Sequence, residues 1–211
     1  MPDASIAAAI LAGGRARRLG GLDKPRLVVD TDPSGPPGRT IIVRQVDLLQ
    51  RIAGQVLVVT TSADRALHPS RFDDVAVSVA VDQIPDAGTL GGLHAALAAA
   101  TAPRVLVVGG DMPFLTGAVL EALTQIPAHA DGRWVRTSRG PEPLLACYRR
   151  RVLDRVTRLL HDGIRRAGAL ESVLAMDALE GAVLAALDPD GRVTTNVNTP
   201  EDLRRVQSTT A

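Results

Sequence analysis

Three groups of residues in this 211-residue chain have types and spacings that could do chemistry. The first is Leu11-Ala12-Gly13-Gly14-Arg15-Ala16-Arg17-Arg18-Leu19-Gly20-Gly21-Leu22-Asp23-Lys24. Four glycines remove side chains there, so backbone N–H groups can approach a polyphosphate closely. Arg15, Arg17, Arg18 and Lys24 bring positive charge to the same place. The spacing is neither the G-x-x-x-x-G-K-[ST] loop of an ATPase nor the G-x-G-x-x-G fingerprint of a dehydrogenase. Lys24 is the only lysine in a chain with 23 arginines. An ammonium is a compact point charge where a guanidinium is a rigid fork, and a position that resists so complete an arginine bias reads as one that needs the former. The alternative, an arginine-rich surface turn, leaves that lysine unexplained.

The second group is Gly109-Gly110-Asp111-Met112-Pro113-Phe114-Leu115. A carboxylate just past a buried strand, preceded by two glycines, is where an α/β enzyme holds Mg²⁺ against a phosphate. The competing role for Asp111 is a helix N-cap, for which Thr116 is better placed. Asp82, at the end of another strand, reaches the same sheet edge as a weaker candidate. The third group is Asn196-Val197-Asn198-Thr199-Pro200-Glu201-Asp202, which contains the chain's only two asparagines. Placed two apart, they point the same way in an extended segment, and Asn198 could complete a Mg²⁺ shell with its amide oxygen. Asn ahead of a helix cap is also commonplace.

The elements that must position these groups alternate between strand-like and helix-like runs, the pattern of a mainly parallel sheet covered on both faces. Strands are expected at Ile6 to Leu11, Gln55 to Val59, Val75 to Val81 and Arg104 to Val108. Helices are expected over Ile41 to Ala53, Leu93 to Thr101 and Arg150 to His161, the last stopping at Gly163. Gly132 to Thr137 and Pro143 to Tyr148 read as a returning β-segment. Thr199-Pro200-Glu201-Asp202 starts the final helix. Asp30 to Arg39, with three prolines and two glycines, reads as a surface loop. No repeat or linker divides the chain, so one three-layer α/β/α domain is expected over residues 1–211.

Net charge of +1 gives no footprint for nucleic acid or an anionic membrane. Any anionic ligand must be held locally. The single Cys147 excludes an internal disulfide and reads as a buried thiol rather than a nucleophile. No leader-like or membrane-length apolar run is visible, which points to a cytoplasmic protein. His68, His94, His129 and His161 form no metal spacing. Arg151, Arg155 and Arg158, at i, i+4 and i+7, read as a solvated helix face whose substitution costs little.

Together the three groups resemble the molybdenum cofactor guanylyltransferase family of the nucleotidyltransferase superfamily. Residues 11–24 match the family's L-A-G-G-x-x-x-R-M-G-G-x-D-K opening, with Leu19 for methionine. Asp111 to Phe114 matches its D-M-P-F, and Asn196 to Leu203 its N-V-N-T-P-E-D-L. Gly88-Thr89-Leu90-Gly91-Gly92-Leu93 is similar to its G-P-L-x-G-L turn, with Thr89 for proline. Thr60-Thr61-Ser62 stands where the family often has asparagine.

The resemblance implies a Rossmann-like nucleotidyltransferase fold, with nucleotide bound by residues 1–115 and the acceptor by 130–211. Leu11, Ala12, Gly13, Gly14, Lys24, Asp82 and Asp111 would contact GTP, and Asp111 with Asn198 would hold Mg²⁺. Arg165 and Arg166 resemble a basic segment near the acceptor, molybdopterin or Mo-molybdopterin. Other enzymes that make or receive the cofactor are the implied protein partners. The terminal phosphate of molybdopterin would attack the α-phosphorus of GTP in line, while Lys24, Arg18 and the loop amides steady the departing pyrophosphate.

Three alternatives stand beside this. One is a cytidylyltransferase or another small-metabolite nucleotidyltransferase, although cytidylyl relatives tend to read L-A-A-G at the first motif. Another is a non-catalytic GTP-binding module that inserts the cofactor into target enzymes. The last is a generic α/β protein with no nucleotide site.

Overall fold

The computed structural model describes residues 1–13, 27–28, 39–61, 77–84 and 86–208. Expectations for Gly14 to Lys24, the 30–38 part of the Pro/Gly loop, Ser62, His68 and the start of the Val75 to Val81 strand lie outside these residues.

Strand β1 (Asp3–Leu11) places Ile6, Ala8 and Ile10 on one face of a sheet and Ala7 and Ala9 on the other, every one of them buried. The two-residue alternation is that of a strand, and a strand covered on both faces reads as a continuous apolar run. β2 (Ala53–Thr61) repeats the pattern with Val56 and Val58 against Leu57 and Val59. β4 (Arg104–Gly109) repeats it again with Leu106 and Val108 against Val105 and Val107. Helices cover both sides. Ile42, Val46 and Leu49 of α1 (Ile41–Leu49) join the first layer, as do Val119, Leu120 and Leu123 of α3 (Gly117–Thr124). Leu90, Leu93 and Leu97 of α2 (Gly88–Ala99) join the second, with Val156 and Leu160 of α4 (Leu153–His161). This is the expected three-layer α/β/α architecture.

One seven-stranded sheet runs in the order β3-β2-β1-β4-β6-β5-β7. Its remaining strands are β3 (Ser78–Asp82), β5 (Gly132–Thr137), β6 (Gly140–Arg149) and β7 (Met176–Leu179). β3, β2, β1 and β4 are mutually parallel, and β6 enters antiparallel to both β4 and β5. β6 carries Cys147 into the core with no exposed surface, where burial pushes the thiol up to about 12. It is an inert core residue, as the sequence suggests. Two short helices close the fold, α5 (Gly181–Leu187) and α6 (Pro200–Ser208). Among the described residues no helix is long and apolar enough to cross a membrane.

Three sequence expectations need correction here. The first helix ends at Leu49, and Ala53, expected inside it, opens β2. Helix α2 starts at Gly88, not near Leu93, so the glycine-rich run is its first turns rather than a separate turn. Arg151 and Arg155 do not belong to an idle solvated face. Both donate to the Asp131 carboxylate, whose side chain is 6% exposed, and Ala175 N donates to the same group at 3.1 Å. Arg158 donates, among the described residues, to Asp154 O of its own helix at 3.4 Å.

Burial works to raise the Asp131 carboxyl, but the hydrogen bonds from Arg155, Ala175 N and Arg151 outweigh it and hold the group below its usual range. A carboxyl depressed in the folded state contributes stability that is present above its unfolded pKa and is lost as pH falls through the folded one. Arg155→Ala is therefore expected to cost about 1–2 kcal/mol near neutrality, less than for a wholly buried pair because the guanidinium is partly solvated. That corresponds to a melting midpoint lower by about 2–8 °C, with acid unfolding moved to higher pH. Thermal melts from pH 7 to pH 3 check this, and an unchanged acid limb would show that Asp131 gains nothing from the pair.

Candidate active site

The four parallel strands end at one sheet edge, and the register there is tight. Leu11 lies level with Val59 on one side and Gly109 on the other, and Thr61 lies level with Asp82. Beyond the strand end, Ala12 N donates to Val59 O at 2.8 Å and Gly110 N donates to Leu11 O at 3.0 Å. Leu11, Ala12 and Gly13, expected to touch nucleotide, thus sit at the middle of the carboxyl edge, where open α/β sheets bind ligands. Gly14, Arg18 and Lys24 follow in sequence and lie outside the described residues.

Asp82 closes β3 with 6% exposure, and its Oδ1 accepts from Ile84 N at 3.0 Å. The start of α2 passes against this carboxylate only because position 91 is bare. A Cβ on Gly91 would stand 2.4 Å from Asp82 Oδ2 and 2.2 Å from the Ala87 Cβ. Gly88, at φ +63°, opens the helix in the left-handed region that favours glycine. A Cβ there would also meet Arg165 O at 2.6 Å. Thr89, where the resembling family has proline, accepts a hydrogen bond from Ala167 N at 3.0 Å, and Leu90 N donates to Arg165 O at 3.1 Å. The beginning of α2 therefore joins the Asp82 side of the edge to the segment after α4.

Gly91→Ala is expected to displace the Asp82 carboxylate or the helix. Overpacking of this kind costs about 1–3 kcal/mol of stability. Affinity for GTP, the ligand that the sequence resemblance implies, should fall with it, which calorimetric titration of the folded fraction would measure. Parent-like affinity would remove Asp82 from the site.

Asp111 follows β4 directly. A Cβ on Gly109 would lie 3.0 Å from Asp111 Oδ1, so the carboxylate folds back over that glycine. Helix α3 is capped by Thr116, whose Oγ1 accepts from Val119 N at 3.3 Å. The capping role for Asp111 is accordingly taken by another residue. The third motif meets the second by a backbone bond, Val197 N donating to Asp111 O at 2.9 Å.

Val197 itself is wholly buried, in a small apolar cluster with Ile41, Phe114 and Val206. Apolar members of the motifs thus anchor their polar neighbours. Asn196 and Asn198 both line a cavity of about 320 Å³, together with Arg139, Thr194, Thr195 and Arg205. Asn196 Oδ1 is buried with no hydrogen-bond partner among the described residues. The approach to α6 is fixed by reciprocal capping. Asp202 Oδ2 accepts from Asn198 N at 3.0 Å and Thr199 N at 2.9 Å, and Asp202 N donates to Thr199 Oγ1 at 3.1 Å.

Two further charged groups join this edge that sequence reasoning did not single out. Glu142 on β6 is half-buried, and burial pushes its carboxyl above the usual range. The Arg139 charge works against that rise, and the nearby Asp111 charge adds to it. Their position follows from β6 running back alongside β4, which no local pattern in the sequence announces. Of the expected acceptor residues, Arg165 donates to Leu160 O at 2.8 Å and Ile164 O at 3.1 Å, closing the end of α4. Arg166 is exposed. A cavity of about 380 Å³ at the opposite edge is a poor rival, because Arg104 and Arg149 there are engaged with carbonyls, among them Thr124 O and Ala130 O.

Residues 8–179 match the family described as MobA-like NTP transferase domain. The chain is 35% identical to the probable molybdenum cofactor guanylyltransferase of Chloroflexus aggregans, over 94% of this chain and 92% of that protein. It is 30% identical to the molybdenum cofactor guanylyltransferase of Desulfosudis oleivorans, over 97% and 95% of the two chains. Among solved structures it superposes on molybdopterin-guanine dinucleotide biosynthesis protein A from Archaeoglobus fulgidus with a TM-score of 0.78 and 26% identity, covering 96% of this chain and 97% of that one.

Proposed function

Because the chain belongs to the MobA-like NTP transferase family, we propose that it transfers GMP from GTP to the terminal phosphate of molybdopterin, with or without molybdenum, to form the guanine dinucleotide form of the cofactor. An acceptor phosphate oxygen bonds to the α-phosphorus, the bond from that phosphorus to the β-phosphate bridging oxygen breaks, and pyrophosphate leaves. The observation that carries this reading is the bond from Val197 N to Asp111 O. It ties the segment bearing both asparagines to the backbone carbonyl of the residue whose carboxylate follows β4, so in this reading one edge presents groups for two substrates. Residues 1–115 form the nucleotide side in this reading and residues 130–211 the acceptor side.

The groups at Asp111 suit Mg²⁺. A carboxylate beside Gly109 and, one residue from Val197, a buried Asn196 amide oxygen with no partner among the described residues are hard oxygen donors of the kind that ion takes. Asp111, with Asn198 from the same segment, would hold it, and the bound ion would polarise the α-phosphate and offset its charge. The remaining work falls to the chain's own groups. Leu11, Ala12 and Gly13, with Gly14 after them, offer backbone to the phosphates, and Asp82 accepts from the nucleoside. Lys24 and Arg18 offset the charge on the leaving pyrophosphate. Arg166, with the Arg165 donors not used by Leu160 and Ile164, steadies the acceptor phosphate. No nucleophilic side chain is required, because positioning and charge neutralisation supply most of the rate in such transfers. In this reading the reaction runs in the cytoplasm, with the enzymes that make and receive the cofactor as neighbours.

Ligand-dependent melting tests the nucleotide. Binding to the folded state alone stabilises by about 2.7 kcal/mol at a hundred times the dissociation constant. GTP with Mg²⁺ should therefore raise the midpoint by about 5–10 °C. CTP and UTP should raise it less, since a site that hydrogen-bonds guanine leaves polar groups unpaired against a pyrimidine. A larger rise with CTP would assign the chain to cytidylyl transfer.

A further inference from the structure

We propose that Gln45, a buried residue of α1 remote in sequence from every motif, is a positioning residue that sets the Asp111 carboxylate for metal and phosphate. This rests on the reading of Asp111 given above. The apolar face of α1 is formed by Ile41, Ile42, Val46 and Leu49, and Gln45 lies among them with 2% exposure. A carboxamide in such a place is unfavourable unless hydrogen-bonded. Both protons of its Nε2 are used, one on Gly109 O at 2.8 Å and one on Met112 O at 2.9 Å. Two carbonyl acceptors fix which way the amide faces, since only its nitrogen can donate.

Gly109 and Met112 are the residues on either side of Gly110-Asp111. Met112 N donates back to Gly109 O at 3.3 Å, so the four residues form a tight turn closed at its base by Gln45. Val197 N holds the Asp111 carbonyl from another direction at 2.9 Å. The backbone that carries the carboxylate is thereby tied to a core helix on one side and to the asparagine segment on the other.

The other half of the amide shows that packing is not the reason for a glutamine here. Gln45 Oε1 is buried with no hydrogen-bond partner among the described residues. A leucine or methionine would fill the same core volume without an unpaired acceptor. What they would lack is the double donor under the Asp111 turn. Groups that act on developing charge must be held close to their productive geometry by neighbours that are themselves locked, and Gln45 has that form.

The test compares Gln45→Met and Gln45→Asn, alone and combined with Asp111→Asn, by steady-state kinetics and by Mn²⁺ titration followed by electron paramagnetic resonance in the presence of GTP. Gln45→Met should fold, lower kcat by about 10–100-fold and change KM for GTP by less than about 3-fold, because a misplacement near 1 Å weakens the transition state more than the bound substrate. Mn²⁺ affinity should fall by about 5-fold or more. In the Asp111→Asn background the same change should add less than about 2-fold, because the two residues act as one unit. Gln45→Asn, with the amide drawn back by one methylene, should shift the same quantities in the same direction and carries the test if Gln45→Met does not fold. Parent-like kcat and Mn²⁺ affinity per folded molecule would overturn the proposal, as would a full additional loss in the Asp111→Asn background. Parent-like behaviour of Asp111→Asn itself would instead overturn the reading of Asp111.

Discussion

Asp111→Ala is expected to slow pyrophosphate release by about 10²–10³-fold, the scale for losing one preorganised charged contact at a reacting phosphate. Its melting midpoint should stay within about 2 °C of the parent, a change typical of a surface site. The separation of the two effects follows from how the residue is held. Thr116 caps α3, so the carboxylate is not needed for the helix. The contact to the asparagine segment runs through the Asp111 carbonyl, which alanine retains. Glu142 beside it should also be relieved, since the Asp111 charge is one cause of its raised pKa. Single-turnover rates measure the first effect, and circular dichroism with a thermal melt the second. A variant that unfolds, yet turns over normally in whatever fraction stays folded, would return Asp111 to a structural role.

Lys24→Arg, which keeps the charge, is expected to lower kcat/KM by about 10–100-fold. Every other cation side chain among the basic residues is an arginine, so lysine at this one place marks a need for a compact ammonium with three donors. In a segment with four glycines in fourteen residues, the broader guanidinium plane would push the phosphates of the proposed reaction from their reacting position, and a shift near 1 Å carries a loss on that scale. Arg158→Lys is the matched control, because among the described residues the hydrogen bond of the Arg158 side chain is to Asp154 O of its own helix. Equal turnover by Lys24→Arg and the parent would end the argument from the solitary lysine.

What the sequence made legible is what is carried by local pattern. The alternation in β1, β2 and β4 shows as continuous apolar runs, and the chemistry-bearing residues follow those runs directly. Hence Leu11 to Gly13, Asp82 and Asp111 are found together at one edge, as expected. The Asn196 and Asn198 pair was legible because the chain's only two asparagines stand two apart, and in the structure both line one cavity with Val197 buried between them.

The rest was hidden by long-range packing. Glycines at 88, 91 and 92 read as a turn, yet they belong to a helix that must pass Asp82 and Leu11 closely. Arg151 and Arg155 have helical spacing and no partner in their own segment, and their partner Asp131 arrives from the loop before β5. β7 is four residues long, too short for any periodicity. Glu142 and Gln45 come to the Asp111 turn only through sheet order and helix packing, neither of which a single sequence displays.

GMP transfer to a molybdopterin phosphate is open to direct measurement. The protein is incubated with Mg²⁺, molybdopterin and each of the four nucleoside triphosphates in turn, and pyrophosphate is measured with the dinucleotide product. Pyrophosphate should appear with GTP, depend on molybdopterin and match the product one to one, with CTP and UTP far slower. Faster release from CTP would contradict the guanylyl assignment, and GTP binding with no pyrophosphate from any nucleotide would contradict catalysis altogether.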